Sequence, residues 1–92
     1  MPHYEAPTLA QLQAQCDAWN AKHAEGTMVS YEEVVGDGET FRGRTQSEAQ
    51  VLSGHSAVVW LKGKSGCVCL EHCTAVKPTA EDLAREAAAV PA

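Results

Sequence analysis

The stretch Ser56-Ala-Val-Val-Trp-Leu-Lys62 decides the fold. Its near-continuous apolar run predicts a strand buried on both faces, the centre of a sheet. Downstream, Lys62-Gly-Lys-Ser-Gly66 is a turn, and Cys67 to Val76 supplies one or two more strands. Val68 and Leu70 fall on one face of that segment, with Cys67 and Cys69 on the other. Upstream, Thr45 and Glu48 have the spacing of a capping box, which predicts a short helix over 46–53. Ala49, Val51 and Leu52 would form its buried side, and Gly54 would end it.

Farther out, Met28, Ser30, Glu32 and Val34 alternate with Val29, Tyr31, Glu33 and Val35. This is a strand with Val29, Tyr31 and Val35 inward. Gly36-Asp37-Gly38 carries the turn chemistry of a hairpin, and Glu39 to Arg44 returns as its second strand, where Gly43 marks a bulge. Before the hairpin, Thr8 stands at an N-cap position, and Leu9, Leu12, Cys16 and Trp19 form one apolar helical stripe. That places a helix over 8–24, stopped by Gly26. After Pro78, Thr79 and Asp82 open an Ala-rich helix running to Val90. Its large anchors are Leu83 and Val90 alone, so it docks weakly or awaits a partner, a second copy included.

The order predicts an α+β fold. A small SH3-like antiparallel barrel of four or five strands (27–76) is flanked by N- and C-terminal helices, in one domain spanning 1–92. Ninety-two residues are too few for two cores, and 45% hydrophobic residues are enough for one. No apolar run approaches the about 18 residues of a membrane span. The first residues lack the basic and apolar blocks of a signal peptide, so a cytoplasmic location is expected.

The formal charge of −5 disfavours a general nucleic-acid binder. Its distribution says more than its sum. Residues 1–40 hold seven acids against Lys22; residues 41–77 hold five basic residues against Glu48 and Glu71; residues 78–92 hold three acids against Arg85. Glu32, Glu33, Asp37 and Glu39 therefore cluster at the first hairpin as a candidate docking patch for a basic protein. Arg42 and Arg44, two apart on one strand, share a face. With Lys62 and Lys64 they form an alternative site, the basic, nucleic-acid-binding edge of a small accessory protein.

Cys67-x-Cys69-x-x-His72-Cys73 is the most chemical-looking motif. Two ligands one residue apart on a strand lie about 7 Å apart, which suits zinc poorly. These thiols are read as packed or exposed side chains, and neither a metal nor another cofactor is expected. His55 is read as fastening its turn to a nearby carbonyl. The chain holds no recognisable catalytic constellation, and an enzyme is not expected.

Several segments together resemble a family of small uncharacterised bacteriophage and prophage proteins. They are Cys16-Asp-Ala-Trp-Asn-Ala-Lys-His23, Gly26-Thr-Met-Val29 and Arg44-Thr-Gln-Ser-Glu-Ala49, then Gly54-His-Ser-Ala-Val-Val-Trp60 and Gly63-Lys-Ser-Gly66. The resemblance spans about residues 12–76 and implies phage origin and a barrel-like fold. The resemblance implies no activity, but phage origin together with the acidic hairpin makes an anti-CRISPR-type inhibitor of a host-defence complex in the host cell the expected class. Its partner would be a host protein, or protein–nucleic-acid complex, with a basic surface.

Overall fold

In the computed structural model, which describes residues 6–89, the apolar run forms strand β4 (Ser56–Trp60) at the centre of a three-stranded antiparallel sheet. Its neighbours are β3 (Gln50–Leu52) and β5 (Cys67–Cys69). A second antiparallel sheet has the order β2-β1-β6, from Phe41–Arg44, Met28–Tyr31 and Cys73–Ala75. One turn of 3-10 helix, Leu70–His72, carries the chain from β5 in one sheet to β6 in the other. Helix α1 spans Leu9–Lys22 and α2 spans Ala80–Ala89.

The α+β class and the antiparallel strands are as expected, but the sheets do not close into a barrel. Among the described residues they meet at a single bridge, Thr45 to Leu61. Lys62 N–H donates to Arg44 O at 2.8 Å, and Gln46 N–H donates to Trp60 O at 2.9 Å, on either side of it. Strands of three to five residues are too short to wrap farther round a common axis.

The short helix expected over 46–53 does not form; Gln50–Leu52 is strand β3. Thr45 is not its cap, because its hydroxyl accepts from Gly26 N–H at 2.9 Å, a partner 19 residues away. Residues 53–55 then join β3 to β4, with Ser53 and Gly54 both at positive φ (55° and 72°) and His55 N–H donating to Leu52 O. That handedness matches the twist of a tight hairpin.

Leu12, Cys16, Val29, Val59, Leu61, Val68 and Leu70 form the core between the sheets and α1. Helix α1 starts where expected. Thr8 Oγ1 accepts from Gln11 N–H while Gln11 Oε1 accepts from Thr8 N–H, a reciprocal cap. Leu12 and Cys16 are buried and Trp19 packs on the core, but Leu9 is 60% exposed. The first turn lies outside the helix's contact with the sheet. At the far end, Asn20 Oδ1 accepts from Ala49 N–H (2.8 Å) and its Nδ2 donates to Ala49 O (3.0 Å), reproducing a strand's pairing pattern with one side chain.

Gly43 is not a bulge, since it pairs in register with Val29. It is glycine because a Cβ there would lie 2.9 Å from the Phe41 ring and 3.0 Å from Lys62 O. β1 ends at Tyr31, so Val35 does not point inward: Val34 and Val35 are 57% and 63% exposed.

Helix α2 is capped as its sequence predicts. Thr79 Oγ1 accepts from Asp82 N–H, and Asp82 Oδ2 accepts from Thr79 N–H. Val90, its expected second anchor, lies outside the described residues. Docking runs through polar groups instead.

A braced acidic hairpin loop as the candidate interaction surface

Residues 32–40 join β1 to β2, and hydrogen bonds fix them from both ends. Glu32 N–H donates to His72 O, Thr40 N–H to Tyr31 O and Asp37 N–H to Val34 O. Thr40 Oγ1 accepts from Glu33 N–H, and Glu32 Oε2 accepts from Gly38 N–H at 2.8 Å. Gly36 and Gly38 sit at φ near +95°, the left-handed region that side chains resist. His72 supplies the outer clamp. Its Nδ1 lies 2.9 Å from Glu32 O and 3.1 Å from Glu33 O. Both are carbonyl acceptors, so Nδ1 carries the proton. The ring also stacks on Tyr31 with centroids 6.2 Å apart.

The four candidate acids have separate roles in this frame. Glu32 turns back to the Gly38 amide. Glu39 pairs with Arg42 at 3.0 Å. A hydrogen bond from Ser30, then Arg42, holds the Glu39 carboxyl below its ordinary range. Glu33 and Asp37 are exposed, and no basic side chain pairs with them among the described residues. Between them stand Val34 and Val35, the exposed tip of the loop.

The basic residues of the alternative site are not a free edge. Arg42 and Arg44 share a face, as their spacing requires, and α2 lies on that face. Arg42 Nε reaches both oxygens of Asp82 at 2.8 and 2.9 Å, and Arg44 forks onto Glu86 at 2.5 and 3.1 Å. Asp82 is 1% exposed and also accepts from Arg85. Bonding to Thr79, then to Arg42, holds the Asp82 carboxyl below its ordinary value. The Arg44 fork does the same for Glu86. Lys64 Nζ sits 5.4 and 5.5 Å from the ring centroids of Tyr31 and Phe41, a cation–π position. Lys62 stays exposed.

Among the described residues, no group of three or more His, Cys, Asp or Glu side chains is placed to hold a metal. Cys69 is exposed, while Cys73 is half-buried with its Sγ 3.5 Å from Cys69 O. Burial, then the nearby Cys69, pushes the Cys73 thiol up to about 12, so it stays protonated. His72 is committed to the loop. The His55 ring makes no hydrogen bond among the described residues and does not fasten its turn; it lines a cleft of about 170 Å³ with Gln15, Ser56, Cys69 and Glu71.

No family model, curated protein or solved structure matches the chain. No helix among the described residues is long and apolar enough to cross a membrane. What the chain's own geometry offers is the loop. Sequence reading found its acids but not its apolar tip, and it missed the His72 clamp, which joins residues about 40 positions apart.

Replacing His72 with phenylalanine keeps the stacking on Tyr31 and removes the Nδ1–H donor. Amides of Glu33, Gly38 and Thr40 are then expected to exchange faster, with a stability loss of ~1 kcal/mol. Unchanged protection in the variant would show that the loop is braced without the imidazole.

Proposed function

We propose that this protein is a non-enzymatic interaction module that docks the tip of its first hairpin on a basic surface of a partner. That partner is a host protein or protein–nucleic-acid complex. The role fits a phage-encoded inhibitor of a host-defence complex, of the anti-CRISPR type. The supporting observation is the braced loop, with Val34 and Val35 exposed between Glu33 and Asp37, whose carboxylates pair with no basic side chain among the described residues. A solubilising acidic face has no use for two adjacent exposed valines. A fixed apolar tip with acidic flanks suits a shallow pocket in a cationic surface, where little conformational entropy is lost on binding. The carboxylates would speed and orient the encounter, and the valines would set the dwell time.

The test is retention of partners from a bacterial host extract on the immobilised protein, with the retained protein identified and its affinity measured. The double variant Glu33→Lys/Asp37→Lys should bind at least tenfold more weakly while its circular dichroism is unchanged. Val34→Asp should also release the partner. A partner held equally by wild type and both variants would refute docking through this loop.

A further inference from the structure

Helix α2 faces the wrong way for an ordinary amphipathic surface helix. Asp82 and Glu86, four residues apart, form the face held to the sheet by Arg42 and Arg44. On the opposite side, Ala80, Leu83, Ala84, Ala87 and Ala88 recur at the offsets of one helical face. All five are exposed, Leu83 at 52%. The polar face is satisfied within the chain and the apolar face is turned outward.

We propose that this face pairs with the same face of a second copy of the chain, α2 antiparallel to α2. The charges along its border select that occupant. Glu81 and Arg85, both exposed and one turn apart, line one edge of the apolar face; Leu83 lies along the other. In an antiparallel pair centred on Leu83, each Glu81 is level with Arg85 of the other copy. The two-fold axis then makes the contact twice. Leu83 meets its own counterpart across the axis, and the alanines let the helices approach closely. A parallel pairing instead brings the Glu81–Arg85 edge of each copy beside the Leu83 edge of the other, so the opposite charges do not meet. Among the described residues one terminal nitrogen of Arg85 alone is engaged, by Asp82, which leaves its other donors for this contact.

Ten residues a side bury less than the roughly 1,200 Å² of a stable interface, so the pair is weak and concentration-dependent. The border charges set register and orientation, and like charges brought level there oppose pairing.

Sedimentation of the wild-type chain from ~10 µM to ~1 mM should show mass rising from monomer toward dimer. Over the same range, amide shifts should move in Leu83 to Ala88. The variants Glu81→Lys and Arg85→Glu should each dimerise at least tenfold more weakly alone. Mixed one to one they should associate again, since the mixture restores opposite charges at both contacts. A wild type that stays monomeric with static α2 shifts overturns the proposal. So does a dimer that survives Leu83→Asp, which would place the contact on another face. Because the concentration series uses the unmodified chain, the proposal stays falsifiable even if a variant disturbs the helix.

Discussion

Truncation of Leu61 to alanine is expected to be the most damaging single change in this protein. Leu61 is fully buried and its backbone, bridged to Thr45, joins the two sheets. Removing its side chain opens a cavity in the buried cluster it shares with Val59, Val68, Leu12 and Cys16. Leu-to-Ala changes at such sites cost about 3–5 kcal/mol. A domain of this size holds roughly 5–14 kcal/mol in total, so the variant loses a large share of its stability. Its melting temperature should fall by about 12–40 °C, measured by thermal denaturation with Trp19 and Trp60 as fluorescent probes. A conservative Leu61→Met, which keeps the volume, should lose far less. Equal losses for both would mean that shape, not volume, controls the junction.

The second large effect is local. Asp82 caps α2 through Thr79 and receives Arg42 in the same carboxylate, so Asp82→Ala removes the cap and the dock together. The core contains no α2 residue. The variant should therefore lose the helical signal of α2 in circular dichroism while the tryptophan transition persists. Asp82→Asn, which can still accept from Thr79 N–H, should lie between. Low pH should act in the same way. The Asp82 and Glu86 carboxyls are held below their ordinary values of 3.8 and 4.5. Their contribution is thus complete above about pH 4.5 and disappears as pH falls through the lower native values. Helix α2 should release in acid before the sheets unfold. Coincident loss of both signals would show that α2 and the core melt as one unit.

What the sequence discloses here is local. The Thr8 cap, the Leu12–Cys16 stripe, the central strand and the Thr79–Asp82 cap each involve residues within a few positions, and each forms where expected. The misreadings share a cause. Thr45 and Glu48 have the spacing of a cap, but Gly26 claims the Thr45 hydroxyl from 19 residues away. Arg42 and Arg44 look like a free basic edge until Asp82 and Glu86 arrive, 40 and 42 positions later. The candidate loop was half legible. Its acids stand out by charge, whereas the exposure of Val34 and Val35 follows from β1 ending at Tyr31, just before the carbonyls that His72 clamps from about 40 positions away.

Asn20 has one consequence beyond packing. β3 is an edge strand, and its approach at Ala49 would present a bare N–H and C=O to any passing chain. Asn20 occupies both groups from the end of α1. A neighbouring molecule therefore cannot extend this sheet at that point by adding a strand of its own. In a crowded cell, the same amide that anchors the helix acts as a stopper against fibre-like growth from that edge.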